Sequence, residues 1–114
     1  MVWYYGNEKP DSVKKLHRLG QIQHTVNFNI EEINENGYKY RWQSVTLEIG
    51  IFTYPAIVSA IVTERYPPDQ MQAIVNNYLD TPDDPKIVGE MKDMQAWRAY
   101  AKQVAKDVLN IDSV

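Results

Sequence analysis

The segment from Pro85 to Asn110 constrains the fold most, because it carries one long stripe of apolar side chains. The members of the stripe recur every three or four positions: Ile87, Met91, Met94, Trp97, Ala101, Val104 and Val108. This spacing puts them on one side of an α-helix, and charged residues occupy the other side. Such a helix is marginal alone and gains its stability from packing, so the rest of the chain must cover the stripe.

Length and composition narrow the classes of protein that the chain can represent. With 114 residues, a hydrophobic fraction of 44% and a charged fraction of 24%, it predicts one ordinary globular domain. The net charge of -3 provides no general attraction to nucleic acid or to an anionic membrane. No window reaches the roughly 18 apolar residues of a membrane span, and the first residues lack a signal-peptide pattern. We therefore expect a soluble, cytoplasmic protein.

A long antiparallel hairpin is predicted between residues 22 and 51. Apolar and polar side chains alternate strictly from Ile22 to Ile30, as in a half-buried strand. Asn36-Gly37 then indicates a type I′ turn, because both residues accept positive φ, and this turn pairs Glu35 with Tyr38. Continued along the two strands, the pairing matches Phe28 with Val45, Val26 with Leu47, His24 with Ile49 and Ile22 with Ile51.

Near the turn, the apolar side chains change to the opposite face in both strands. This change predicts Ile33 opposite Tyr40 and Glu31 opposite Trp42, and it leaves a group of candidate partner-binding residues: Ile33, Tyr38, Tyr40 and Trp42. In one interpretation, the hairpin twists so that this group packs on the segment Trp3-Tyr4-Tyr5. In the other, the group is an exposed patch that binds a protein partner or a second copy of the chain.

The first 21 residues contain weaker signals. Val2-Trp3-Tyr4-Tyr5 is a strand-prone segment that either pairs as a third, edge strand or stays unpaired. Asp11 or Ser12 is a suitable helix cap, and the residues after it predict a short helix that ends before Gly20.

Three helices are predicted after the hairpin. Thr53 caps the first, which runs to about Arg65, and the second follows Asp69 and runs to Leu79. The third is the long segment from Pro85, with acidic residues before it as caps. The predicted fold class is therefore α+β, with one domain over residues 1–114. It consists of an N-terminal segment (1–21), a hairpin (22–51) whose two strands become three if the N-terminal segment pairs with them, and a helical half (53–110).

The sequence contains no recognisable catalytic or metal-binding constellation, and we expect no cofactor. The absence of cysteine excludes disulfides, thiolate metal sites and a cysteine nucleophile. His24 lies on the apolar side of its strand, which favours a core histidine. An enzymatic role for it requires a cleft with a carboxylate within hydrogen-bond reach.

The chain has one cluster of basic residues, Lys14, Lys15 and Arg18. It predicts an alternative function as a nucleic-acid-associated regulator, although a run of three cations is more often a solvated face. The two helices after the hairpin do not support a helix-turn-helix, because the second contains no lysine or arginine. Nucleic acid is therefore not the expected partner.

Four segments in the last two-thirds of the chain carry a resemblance to known proteins. They are Tyr40–Leu47, Ala56–Val62, Met71–Leu79 and Met94–Arg98. The chain resembles a group of small uncharacterised proteins from prophage or mobile-element regions of gut anaerobic bacteria. This resemblance implies a phage-type accessory or structural protein and carries over no catalytic residues. Together with the aromatic hairpin tip, it leads us to expect a non-enzymatic interaction or assembly protein.

Overall fold

The computed structural model describes residues 2–112, with side chains described up to residue 110. It contains four strands and three helices: β1 (Tyr4–Gly6), β2 (Val13–Arg18), β3 (Gln21–Glu35), β4 (Tyr38–Thr46), α1 (Tyr54–Arg65), α2 (Pro68–Asp80) and α3 (Pro85–Asp112). The strands form one antiparallel sheet in the order β1-β4-β3-β2. The predicted α+β fold, with a long hairpin packed on C-terminal helices, is confirmed.

Two of the helices, α1 and α3, begin where their capping residues predict. The Thr53 hydroxyl accepts a hydrogen bond from the backbone N–H of Ala56 at 3.4 Å, at the start of α1. Before α3, the Asp84 carboxylate accepts from the N–H of Lys86 at 2.9 Å. Each cap satisfies a backbone donor that the first helical turn leaves unpaired.

The core lies between one face of the sheet and the helices. The sheet contributes Val26, Phe28, Val45 and Leu47, and α3 contributes Met94, Trp97, Ala101, Ala105 and Val108. Trp97 connects these parts, because its ring lies edge-on to Phe28 with centroids 6.0 Å apart, and its indole N–H donates to the Ile61 carbonyl at 3.0 Å. The predicted role of the α3 stripe as the covered face of the helix is confirmed.

The hairpin turn is confirmed, but the register predicted beyond it is wrong. Glu35 lies opposite Tyr38, and both turn residues have positive φ, 51° at Asn36 and 83° at Gly37. Further along, Val26 faces Val45 instead of Leu47. The register shifts twice, between Phe28 and Glu31 and between Glu32 and Glu35, because β3 contains extra residues there.

These two β-bulges explain why the buried residues of β3 were predicted correctly although the register was wrong. Each bulge adds one residue to β3 and turns the following side chains to the other face, so two bulges restore the original phase. Val26 and Phe28 therefore point inward as predicted, although Phe28 lies opposite Gln43. Near the tip, two predicted pairs are wrong. Glu32, not Ile33, lies opposite Tyr40, and Glu31 lies opposite Arg41, not Trp42.

Asparagine residues occupy both bulges. Asn29 and Asn34 have φ values of 52° and 53°, a left-handed conformation that asparagine tolerates better than most residues. At the first bulge, the Asn29 N–H has no strand partner in register and donates instead to the Tyr100 hydroxyl at 2.8 Å. The first bulge is thereby tied to α3.

The N-terminal segment forms two strands, and the short helix predicted after Asp11 or Ser12 is wrong. β1 pairs with β4 as an edge strand, as one of the two alternatives predicted. Residues 13–18 pair with β3 through a tight turn at Leu19-Gly20, where φ is 52° and 74°. A helix of about two turns is unstable without docking, whereas the edge of β3 supplies hydrogen-bond partners along the whole of β2.

We expect the glycine of the hairpin turn to be required and the glycine of α3 to be dispensable. Gly37→Val should lower the free energy of unfolding by about 1 kcal/mol or more, because a β-branched residue at positive φ is strained. Gly89→Ala should raise it by about 0.5 to 1 kcal/mol, because a Cβ at this position of α3 meets no neighbouring atom. Denaturant unfolding measures the free energy of unfolding of both variants. A Gly37→Val variant as stable as the native chain would contradict the assigned turn.

The link between α3 and the first bulge should depend on pH. Burial raises the pKa of the Tyr100 hydroxyl above its ordinary value, and the hydrogen bond from Asn29 lowers it by less. The unfolded chain therefore loses this proton first, and native stability should fall as the pH rises above about 10. Tyr100→Phe should cost about 1 kcal/mol at neutral pH, because the Asn29 N–H loses its acceptor. The difference in the free energy of unfolding between Tyr100→Phe and the native chain should narrow above about pH 10. If this difference were the same at every pH, the burial of the Tyr100 hydroxyl would not contribute as described.

Candidate partner-binding site

The candidate site lies on the face of the sheet that points away from the core, which we call the open face. Its central residues are Thr25, Asn27, Trp42 and Ser44, which alternate along β3 and β4 with the buried residues. Because β1 and β2 are the two edges of the sheet, residues 7–12 must cross from one edge to the other. They cross over the open face, where the Asp11 carbonyl accepts a hydrogen bond from Asn27 Nδ2 at 2.7 Å.

Residues 7–12 form what we call the connection, and a cavity of about 600 Å³ lies between it and the strands. The open face forms its floor, Tyr4 and Leu16 contribute apolar surface, and the connection contributes both charges through Glu8, Lys9 and Asp11. Lys14 of β2 completes the rim. The site therefore combines aromatic surface with charged side chains of both signs.

Hydrogen bonds hold the floor of the cavity in one arrangement. Asn27 uses both ends of its amide, since Nδ2 donates to the connection and Oδ1 accepts from the Ser44 hydroxyl. The Thr25 and Thr46 hydroxyls lie 2.9 Å apart across the same two strands. Because Asn27 hydrogen-bonds both to the connection and to β4, the shape of the cavity depends on this residue.

Trp42 is positioned by a glycine. It lies opposite Tyr4 of β1, and the six-membered part of its indole lies against Gly6. A Cβ on Gly6 would be 3.0 Å from Trp42 Cη2, closer than side-chain atoms normally approach. Gly6 thus permits Trp42 to lie half-buried on the open face.

The structure places the four candidate residues of the hairpin tip in different environments. Trp42 lines the cavity, whereas Tyr40 lies next to it on β4, half-buried and opposite Gly6. Tyr38 is 44% exposed, with its ring 5.6 Å from that of Tyr5. Ile33 lies in the second bulge, out of register with Tyr40. The hairpin tip packs on the N-terminal segment, as one interpretation predicted, but Tyr38 also remains accessible. The role of the tip as a partner-binding site therefore stays a prediction.

The three basic residues do not share one surface. Lys14 lies opposite Thr25 on the open face, whereas Lys15 lies opposite the buried His24 and therefore on the other face. Arg18 is the last residue of β2, next to the Leu19-Gly20 turn. Of the three, Lys14 lines the cavity, and the acidic residues Glu8 and Asp11 line it too, which reduces the positive potential there.

His24 is a core-facing residue. It is 8% exposed, and its ring stacks on Phe52 with centroids 4.0 Å apart and planes inclined by 12°. This inward position differs from the cleft that an enzymatic role requires. Within residues 2–112, the structure contains no group of three or more histidine, aspartate or glutamate residues arranged to hold a metal ion. In the same range, no helix has a continuous apolar stretch that could cross a membrane.

Comparison of the chain with protein-family models, curated proteins and solved structures found no match. Sequence patterns identified Trp42 and Lys14, but they assigned the two residues to separate hypotheses. Their common cavity was missed because residues 13–18 were expected to form a helix, and strict alternation at Thr25 and Asn27 was the one available signal of an open face.

We expect Gly6 and Trp42 to be energetically coupled. Gly6→Ala should lower the free energy of unfolding by about 1 kcal/mol, because the new Cβ overlaps the indole. In a Trp42→Phe background, the same change should cost much less, since phenylalanine lacks the outer ring atoms. A double-mutant cycle by denaturant unfolding measures the coupling. Identical costs in the two backgrounds would show that Gly6 does not position Trp42.

Proposed function

We propose that the protein is a non-enzymatic interaction or assembly protein that binds a polypeptide partner in the cavity on its open face. The observation that carries this proposal is the position of Trp42. Its indole is half-buried at the floor of the cavity, and Gly6 and Tyr4 hold it there on the face away from the core. A large, preorganised aromatic side chain of this kind is typical of the residues that dominate binding energy in protein interfaces.

The polar groups around Trp42 support a polypeptide more than a polyanion. Lys9 and Lys14 line the same cavity as Glu8 and Asp11, so a phosphate backbone would meet repulsion as well as attraction. Thr25, Asn27 and Ser44 add neutral hydrogen-bonding groups next to the aromatic surface. Aromatic anchors with a polar rim of both charges are the usual composition of a protein interface.

An assembly role is also what the resemblance to prophage and mobile-element proteins implies. Accessory and structural proteins act by contacts with other polypeptides, and the cavity supplies a surface suited to such a contact. Tyr38 and Tyr40, next to Trp42 on β4, extend the proposed surface toward the hairpin tip.

Site-specific photocrosslinking in the source cells tests this proposal, with adjacent lysines as probe and control. A photoreactive residue replaces either Lys14, on the rim of the cavity, or Lys15, on the opposite face. We expect Lys14 to yield a discrete adduct that protease removes and nuclease does not. Trp42→Ala should abolish this adduct while circular dichroism confirms that the variant is folded.

Three outcomes would contradict the proposal. Nuclease-sensitive adducts at Lys14 would favour the nucleic-acid-associated regulator instead. Equal adducts at Lys14 and Lys15 would show that the open face is not selective. An adduct that persists in the folded Trp42→Ala variant would show that the aromatic floor of the cavity does not bind the partner.

A further inference from the structure

The two edges of the sheet differ in charge. β2 carries Lys14, Lys15 and Arg18 along its edge, and charged residues on an edge strand oppose pairing with another strand. At the other edge, residues 2–7 contain no charged residue at all. Val2, Tyr4 and Tyr5 are exposed by 62%, 48% and 48%. The β1 edge therefore lacks the protection that the β2 edge has.

The β1 edge also lies away from the helices. β1 pairs with residues Tyr40–Trp42 of β4, whereas the residues of β4 and its continuation that the helices bury are Gln43, Val45 and Leu47. The molecule is elongated, with extents of 49 × 36 × 24 Å and a radius of gyration of 16.5 Å. A compact chain of this length has a radius of gyration of about 13 Å. The strands at the tip thus extend from the body of the protein and are open to a further strand.

We infer that β1 pairs with β1 of a second copy of this chain, antiparallel and about a two-fold axis, so that the two sheets become continuous. Identical copies bring like charges together wherever their shared edge is charged, and this excludes the β2 edge. The β1 edge has no such repulsion. Arg41, opposite Tyr5 on the neighbouring strand, donates to Glu31 at 2.6 Å and lies over the Trp3 ring at 4.1 Å. Glu8, two residues beyond β1, faces Val2 of the other copy in a pairing centred on Tyr5, so it does not meet another carboxylate. The edge is therefore compatible with its own copy.

The expected association is concentration-dependent. Stable protein interfaces bury about 1,200 Å² or more, and the backbone of a three-residue strand supplies only a part of this area. The exposed side chains of Val2, Tyr4, Tyr5 and Tyr38 beside the edge add to this area. Tyr4 and Tyr38 border both this edge and the surface of the proposed function, but strand pairing uses the backbone of β1, and the test changes only position 2, which does not line the cavity. The inference therefore goes beyond the proposed function, and the failure of one can be told from the failure of the other.

Two matched variants test the inference, both changed at the exposed position 2, which does not line the cavity. In antiparallel pairing about a two-fold axis at Tyr5, the middle residue of β1, residue 2 of one copy lies opposite Glu8 of the other, because opposed side chains share a face of the sheet. Val2→Glu places like charges together and should raise the dimer dissociation constant about tenfold. Val2→Lys places opposite charges together and should leave the dissociation constant unchanged or lower it.

Sedimentation velocity of the full chain from about 1 µM to about 1 mM measures the association. The native chain should approach twice the mass of one 13.3 kDa chain as its concentration rises. A monomer over the whole range would overturn the inference and leave the edge to a strand of a different protein. Equal weakening in Val2→Glu and Val2→Lys, with circular dichroism showing folded protein, would overturn the antiparallel pairing. A larger mass that neither variant changes would place the contact elsewhere.

Discussion

The packing of Trp97, a residue of α3, against α1 and β3 is the interaction on which the rest of the structure depends. Its ring contacts Phe28 of the sheet and its indole N–H bonds to the backbone of α1, so one side chain joins both layers. Tyr100, one turn further along α3, packs on Trp97 and accepts the Asn29 N–H at the first bulge. Because these contacts lie on one face of the sheet, they leave the opposite face available for the cavity.

The two β-bulges separate the sheet into a part that stabilises the fold and a part that is available for contacts. Up to Phe28, β3 alternates regularly and contributes to the core; beyond it, two extra residues shift the register by one position each. Bulges increase the local twist of a strand pair and change its direction. The tip is thereby supported by β1 and by the Arg41–Glu31 ion pair rather than by helices. An exposed ion pair of this kind contributes little stability, so strand pairing carries most of the stabilisation there.

The proposed surfaces both arise from the placement of the N-terminal segment at the two edges of the hairpin. β1 lies on one edge and β2 on the other, and the residues between them cross the open face and enclose the cavity. The same arrangement leaves an uncharged edge at β1 and a basic edge at β2. The proposed partner cavity and the proposed β1 edge adjoin at Tyr4, but strand pairing would use the backbone of β1, whereas the cavity uses side chains on one face of the sheet.

Local sequence was sufficient to predict the elements whose stability is decided within a few residues. The turn at Asn36-Gly37, the caps at Thr53 and Asp84, and the stripe of α3 follow from backbone preferences and helical periodicity, and each lies where it was expected. Trp42 and Lys14 were also identified as candidate residues, although not as neighbours. Only the tertiary structure decided that residues 13–18 form a strand, that β3 bulges at Asn29 and Asn34, and that the connection covers a cavity. The physical reason is that a short segment has little preference of its own, so partners distant in sequence determine its conformation: the edge of β3 for β2, and the Tyr100 hydroxyl for Asn29.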